Sequence, residues 1–128
     1  MLELELPYPP SANHYFRMVQ GRMLISREGR RFREAVGAIL AAQGVRRMTG
    51  RLALAVQVRP PDLRRRDLDN VQKALLDVLE KGGAYGDDSQ IDLLLTRRGP
   101  PAAGGEAHVR LDEWPLVRCP LCGGPYGG

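Results

Sequence analysis

Two groups of carboxylates in this sequence are candidates for holding a metal ion. The stretch RRRDLDN at 64–70 places Asp67 and Asp69 directly after three arginines, and a second acidic pair, Asp87 and Asp88, comes later. Asp67, Asp69 and Asp88 together would form a set of hard oxygen ligands with no histidine or cysteine. Such a set suits Mg²⁺ or Mn²⁺ and not Zn²⁺. If the fold brings these groups together, the sequence predicts a divalent-metal site.

Each of these charged residues also has a purely structural explanation. Residues 68–81 have the apolar periodicity of a helix, and Asp67 at its N-terminus could cap free N–H groups. Asp69 and Lys73 are i,i+4 neighbours on the polar face of that helix and could form a surface ion pair. Both explanations remain open on the sequence alone.

Whether the two acidic groups meet depends on tertiary structure. A helix of about 14 residues is roughly 21 Å long, and it separates Asp69 at its start from Asp88 beyond its end. The loop at 82–86 is long enough to turn the chain but not obviously long enough to bring it fully back. The sequence permits Asp88 to meet Asp67 and Asp69 without requiring it.

The basic residues favour an anionic partner. The net charge is +4, and 17 of the 19 basic residues are arginine, whose planar guanidinium suits bidentate phosphate contacts. A GC-rich genome would produce the same arginine content, and composition does not separate the two explanations. Arg64, Arg65 and Arg66 are candidate phosphate ligands, with a solvated surface stretch as the alternative.

Two well-known binding motifs are excluded. DLDN at 67–70 begins like an EF-hand, but Gln72 stands where that loop needs glycine and Val78 where it needs glutamate. A phosphate-binding glycine loop is also missing from the sequence, so binding of a nucleoside triphosphate has no support.

The elements that must position these residues follow an α+β order. Two apolar stripes predict helices, one capped by Ser26 and ended by Gly44 and the other at 68–81. The proline-rich stretch at 7–15 is interpreted as a loop, and Gln20-Gly21 as the turn of a hairpin. Alternating apolar residues predict further strands at 2–6, 51–60, 91–97 and 107–111. The predicted fold is α+β, a single small domain with a mixed sheet covered by two helices.

The stretch RRRDLDNVQKALLDVLEKGGAYGDDSQI at 64–91 combines an arginine run, D-x-D-N, a lysine four residues after the second aspartate, and D-D-x-Q. This combination resembles the core motif of the RusA family of Holliday-junction resolvases, small endonucleases common in phages and prophages. PYPPSANHYFR at 7–17 is similar to the proline-rich segment of that family. The resemblance covers roughly residues 3–112.

The resemblance implies specific roles for residues at matching positions. Asp67, Asp69 and Asp88 match the catalytic, metal-binding aspartates of the family, and Lys73 matches its catalytic lysine. The family acts as a homodimer, needs Mg²⁺ or Mn²⁺, and cuts four-way DNA junctions by symmetric paired incisions. The residues expected to contact DNA are Arg64, Arg65, Arg66, Asn70 and Asn13.

Two other functions stay open. The chain could bind junctions or other DNA without catalysis, although acidic groups facing phosphates would bring nothing to a pure binder. It could also be a Mg²⁺-dependent nuclease acting on flaps or single strands, which the sequence does not separate from a resolvase.

Beyond the resembling region, Cys119 and Cys122 have the C-x₂-C spacing of half a zinc site. Since the sequence has no second pair, the favoured interpretation is a nuclease domain at 1–115 followed by a flexible, reduced tail at 116–128. Zinc held by four cysteines from two chains is the first alternative, and a redox role is the second. The N-terminus lacks a secretory signal and no apolar run approaches the ~18 residues of a membrane helix, so we expect a cytoplasmic protein without membrane association.

Overall fold

The computed structural model describes residues 1–119 and 122–125. Four strands form one sheet in the order β1-β6-β4-β5, while β2 and β3 form a separate hairpin. The elements, in chain order, are β1 (Leu2–Pro7), α1 (Ala12–Tyr15), β2 (Phe16–Val19), β3 (Arg22–Ile25), α2 (Arg27–Ala42), β4 (Leu52–Arg59), α3 (Asp69–Lys81), a 3₁₀ helix (Asp88–Gln90), β5 (Ile91–Arg98) and β6 (Glu106–Glu113).

The sheet is mixed. β6 pairs antiparallel with both β1 and β4, whereas β4 and β5 are parallel. Parallel neighbours need a crossover connection, and α3 provides it between β4 and β5. This arrangement confirms the predicted α+β class with a mixed sheet in one small domain.

The core lies between the sheet and the two longer helices, as the apolar stripes predict. Strand β4 buries Leu52, Leu54, Val56 and Val58 on one face. Helix α2 contributes Phe32, Val36 and Leu40, and helix α3 contributes Val71, Ala74, Leu75, Val78 and Leu79. The amphipathic pattern therefore fixes which side of α3 faces the sheet and leaves Asp69 and Lys73 exposed.

The caps of α2 and the hairpin turn are confirmed. The Ser26 hydroxyl accepts a hydrogen bond from the Gly29 N–H at 2.9 Å, which satisfies one of the free donors at the helix start. Gly44, just after the helix, has a φ of +63°, and Gln20 and Gly21 have φ values of +50° and +75°. Consecutive positive φ values are the geometry of a two-residue hairpin turn.

The interpretation of residues 7–15 as a loop is wrong for its second half, where α1 forms a single turn. The Ser11 carbonyl accepts hydrogen bonds from the N–H groups of His14 and Tyr15. The Tyr15 side chain is fully buried. Burial of this large side chain outweighs the weak helical tendency of so short a segment.

A group of three polar side chains connects α1, α2 and α3. The Tyr15 hydroxyl donates a hydrogen bond to the Asp77 carboxylate, and Arg33 forms an ion pair with the same carboxylate at 2.8 Å. Burial, followed by the hydrogen bond to Asp77, raises the pKa of Tyr15 to about 12. Because α1, α2 and α3 each supply one member, the group fixes the start of the hairpin at Phe16 relative to α3.

The start of α3 differs in detail from the sequence prediction. The N-cap is Leu68, which makes no side-chain capping bond, so the capping role considered for Asp67 is wrong. The Asp67 backbone carbonyl accepts the Asn70 N–H instead. The Asp67 carboxylate is therefore not committed to closing the helix.

The C-terminal segment is described as far as Cys119 and again at 122–125. Leu116 is 9% exposed and packs on the domain, whereas Val117 is 84% exposed. Part of the predicted flexible tail, at 120–121 and 126–128, lies outside the described residues. Among the helices of the described residues, none has the length and apolar character needed to cross a membrane.

Candidate active site

Helix α3 carries acidic residues at both ends. Asp67 and Asp69 lie at its N-terminal end, and Glu80 lies in its last turn. With a rise of 1.5 Å per residue, Asp69 and Glu80 are about 16 Å apart along the helix axis. The backbone N–H of Asp88 donates a hydrogen bond to Glu80 Oε1 at 2.9 Å, which places Asp88 at the C-terminal end. Within one chain, the structure therefore does not bring Asp88 to Asp67 and Asp69.

Asp88 is instead grouped with Asp87 and Glu80. One oxygen of each carboxylate lies within 4.8 Å of the other two, and in the described residues this is the one group of three or more acidic, histidine or cysteine side chains so arranged. We call Glu80, Asp87 and Asp88 the acidic cluster. All of its ligand atoms are oxygens, which is the donor set for a hard divalent cation.

The electrostatics of the acidic cluster agree with such a role. Desolvation, followed by the negative charges of Glu80 and Asp87, raises the pKa of the Asp88 carboxyl above its ordinary value. The pKa of Asp87 is lowered, chiefly because its carboxylate accepts the Ser89 backbone N–H. Asp87 is thus held ionised beside a carboxylate that it repels. A bound cation would relieve that repulsion.

Gln90 holds the loop that presents Asp87 and Asp88. Its Oε1 accepts the backbone N–H groups of Gly86 and Asp87 at 2.9 and 3.0 Å. Its Nε2 donates to the carbonyls of Met48 and Gly50 at 3.2 and 2.9 Å. The first two bonds close the loop on itself, and the other two join it to the segment before β4. Gln90 is a positioning residue that sequence reasoning missed, although the D-D-x-Q spacing contained it.

Replacing Gln90 by methionine keeps the side-chain length and removes all four hydrogen bonds. We expect Gln90→Met to weaken binding of Mn²⁺ about tenfold to a hundredfold, as is typical for loss of a residue that orients metal ligands. Calorimetric titration with Mn²⁺ measures this directly. Gln43→Met, at an exposed position after α2, is the control. Unchanged Mn²⁺ affinity in a folded Gln90→Met protein would show that Gln90 does not position the metal ligands.

Lys73 does not pair with Asp69. Its Nζ lies 5.1 Å from the centroid of the Phe16 ring, a cation–π contact. No ion pair between Lys73 and Asp69 is present among the described residues, so the surface ion pair considered from the sequence is wrong. Phe16 and the exposed Asn13 line the same pocket as Lys73. The ammonium group is therefore held against Phe16, and in the part of the chain that the structure describes no carboxylate forms an ion pair with it.

The arginine run borders a second concave surface, which Asp67 also lines. This pocket of about 350 Å³, called the arginine pocket, is lined by Tyr8, Ser11, His14, Arg64, Arg65, Arg66, Asp67, Asn70 and Val71. It joins the proline-rich segment to the start of α3. His14, whose Nδ1 lies 3.0 Å from the Ser11 hydroxyl, also lines this pocket, and sequence reasoning missed it.

The three arginines are not equivalent. Arg66 pairs with Asp62 at 2.7 Å and lies over the Tyr8 ring, and its side chain is 25% exposed. Its hydrogen bond and then the Arg64 backbone N–H lower the pKa of Asp62 to about 2. The Arg64 side chain is 83% exposed, at 3.6 Å from Asp62, and Arg65 is also exposed. Arg64 and Arg65 are therefore available to a ligand, while Arg66 shapes the loop.

This difference predicts separate outcomes for the arginines. Replacing Arg64 and Arg65 together by alanine should weaken binding to every DNA shape. The slope of log K against log salt should fall by up to about 1.8, or about 0.9 for each lost phosphate contact. Fluorescence anisotropy over a salt series measures that slope. Arg27→Ala with Arg31→Ala, at two exposed positions of α2, makes the same charge change as a control. An unchanged slope in the Arg64 and Arg65 variant would make these residues ordinary solvated surface.

The C-terminal cysteine pair is not part of the acidic cluster. Cys119 and Cys122 are not joined in a disulfide, and the acidic cluster does not include them. Pro120 and Leu121 between them lie outside the described residues. Shared zinc at this pair stays a prediction.

Comparison with known proteins gives the family. A family model described as Endodeoxyribonuclease RusA matches residues 7–111. The chain belongs to the RusA endodeoxyribonuclease family. The match spans both ends of α3 and the Asp87–Asp88 loop and stops before the cysteines, which confirms the resemblance seen in the motif.

Individual relatives align with this chain over nearly their whole length. The chain is 40% identical to the crossover junction endodeoxyribonuclease of Enterobacteria phage 82 over 114 residues, which cover 86% of this chain and 92% of that protein. It is 38% identical to the protein of the same name from Escherichia coli strain K12, with the same coverage. It is 39% identical to the one from Enterobacteria phage HK97, over 84% of this chain and 91% of that protein. This RusA-family chain thus contains nearly all of the region found in its relatives.

Proposed function

We propose that this protein is a divalent-metal-dependent endodeoxyribonuclease that resolves four-way DNA junctions by paired, symmetric incisions as a homodimer. The observation that carries the proposal is the near full-length likeness to proteins named crossover junction endodeoxyribonucleases. The acidic and basic groups around α3 agree with it, because phosphodiester hydrolysis needs both a means of neutralising phosphate charge and a surface that binds the backbone.

The proposed metal is Mg²⁺ or Mn²⁺. The acidic cluster fits it, since Glu80, Asp87 and Asp88 offer only oxygen atoms, and two of the three carboxylates are exposed. A bound ion would stabilise the charge that develops on the scissile phosphate. Asp67 and Asp69 would complete the ligand set, and the unpaired ammonium of Lys73 would stabilise the same charge from the protein side.

A homodimer would also bring the N-terminal end of α3 in one chain next to the C-terminal end of α3 in the other. In one chain about 16 Å of helix separates Asp69 from Glu80. If two chains associate about a two-fold axis with their α3 helices antiparallel, the N-terminal end of one α3 lies beside the C-terminal end of the other. Asp67 and Asp69 would then share a site with Asp88 of the second chain. A two-fold dimer would hold two such sites, one for each of the opposed strands of a junction.

The basic surface would place the DNA. Arg64, Arg65 and Asn70 border the arginine pocket next to Asp67, and Asn13 borders the pocket that contains Lys73. Contacts of arginine to phosphate set position without reading sequence. We propose that backbone phosphates on either side of the cut occupy these two surfaces.

The function is tested by incubating the purified protein with labelled four-way, flap and linear DNA in the presence of Mg²⁺, Mn²⁺ or EDTA. We expect paired nicks in opposed strands of the four-way junction, with either metal and not with EDTA. Preferential cutting of the flap would favour a general structure-specific nuclease. Tight junction binding without cutting under any metal would favour a non-catalytic binder.

A further inference from the structure

The hairpin formed by β2 and β3 has an apolar face at its tip. Its register places Phe16 opposite Ile25 and Met18 opposite Met23. Since alternate residues of a strand point to opposite faces, these four side chains share one face. Phe16 and Ile25 pack against the core. The two methionines lie beyond them and are 64% and 57% exposed.

Scattered apolar side chains are normal on a protein surface, but these two are cross-strand partners and border a pocket. The hairpin pocket, of about 340 Å³, is lined by Ala12, Asn13, Phe16, Arg17, Met18, Met23 and Lys73. Within this pocket, Lys73 lies over the Phe16 ring. The proposed catalytic lysine and the exposed methionines therefore face the same space.

The charge around this space points to its occupant. Arg17 and Lys73 line the hairpin pocket, and among its described lining residues no side chain is acidic. A ligand with flat apolar faces joined to phosphates would match both the methionines and the cations. Nucleic acid bases with an exposed face have this chemistry.

We propose that Met18 and Met23 form an apolar wedge that packs against the base faces exposed at the branch point of a four-way DNA junction. The inference rests on the proposed function and extends it to how branched DNA is distinguished from linear DNA. In a linear duplex each base pair is stacked on both sides. At the branch point this stacking is interrupted, and DNA-bending proteins insert apolar side chains, methionine among them, between base steps in the same manner.

The opposite face of the hairpin supplies a matched control. Leu24 lies across from Arg17 on that face and is 44% exposed. Met18→Gln with Met23→Gln keeps the side-chain lengths and removes the apolar character of the wedge. Leu24→Gln makes a similar change on β3, at a residue that does not line the hairpin pocket. Circular dichroism and thermal melting establish that both proteins fold.

The experiment measures binding in EDTA to a fixed four-way junction and to a linear duplex of the same sequence, one junction carrying 2-aminopurine at the branch point. We expect the double methionine variant to bind the junction about tenfold more weakly while its affinity for the duplex is unchanged. Wild-type protein and Leu24→Gln should raise the 2-aminopurine fluorescence on binding, and the double variant should not.

Several outcomes would overturn the wedge. Equal losses for junction and duplex, or equal losses for Leu24→Gln, would show a general effect of the hairpin. A double variant that still binds the junction as wild type would show that the methionines are not used. Loss of the dimer in light scattering would assign the methionines to a contact between chains. If the wild-type protein itself does not prefer the junction, both the proposed function and the proposed wedge are contradicted. The other outcomes contradict only the proposed role of Met18 and Met23.

Discussion

Asp69→Asn should abolish junction cleavage and leave junction binding intact or tighter. The carboxylate is an exposed group in the first turn of α3. Its proposed role is to hold a cation that stabilises the charge developing on the phosphate by several kcal/mol. Loss of the carboxylate should therefore slow cleavage by roughly a thousandfold or more. Without a metal, removing a negative charge near phosphate reduces repulsion, and affinity should not fall.

The measurement pairs single-turnover cleavage in Mg²⁺ with binding in EDTA on the same labelled junction. Glu34→Gln, an exposed acidic position of α2, removes the same charge away from the proposed site and should cut normally. Cleavage by Asp69→Asn at close to the wild-type rate would mean that Asp69 is not a metal ligand.

Mixing two inactive proteins should restore cutting of one strand. Asp69→Asn and Asp88→Asn change opposite ends of α3, and each should be inactive alone. If the site forms between chains, a mixed dimer has one site with both changes and one with neither. The intact site should nick a supercoiled cruciform plasmid, and open circles should accumulate with little linear product. If the site forms within a chain, the mixed dimer has no intact site and stays inactive.

The control for this complementation uses two changes at the same end of the helix. Asp67→Asn mixed with Asp69→Asn leaves each shared site with one defective N-terminal end, so no activity should return. Open circles from this control mixture would contradict a site shared between the chains. Light scattering that shows a monomer at concentrations where both strands are cut would contradict the dimer itself.

Local features of the fold could be predicted because each depends on a few neighbouring residues. Ser26 caps α2, Gly44 ends it, and Gln20-Gly21 turns the hairpin. These positions need particular backbone angles or a side-chain acceptor, and few residue types provide them. The apolar stripe of α3 likewise shows which of its residues are buried.

The candidate site was less predictable, because it depends on where the loop after α3 places Asp87 and Asp88 relative to the helix. Glu80, in the last turn of α3, accepts the Asp88 N–H across that loop. Gln90 has four backbone partners drawn from two separate segments. The Glu80 contact and the two Gln90 contacts to the segment before β4 have no signal at fixed sequence spacing, whereas the Gln90 bond to the Asp87 N–H follows the spacing of a capping box. The short helix α1 was missed for a related reason, since burial of Tyr15 by distant residues decides its conformation.

The order of strands in the main sheet has a consequence for biosynthesis. Strand β6, made from residues 106–113, lies between β1 and β4, so β1 has no strand partner in its sheet until residues 106–113 have been made. At 5–20 residues per second, the newly made N-terminal strand waits roughly 5 to 20 seconds. Glu3 and Glu5 alternate with its leucines, and like charges at the edge of an unpaired strand discourage pairing with other chains. The sheet is completed only when β6 has been made, so a ribosome-bound nascent chain contains the proposed catalytic residues before the fold that positions them is complete.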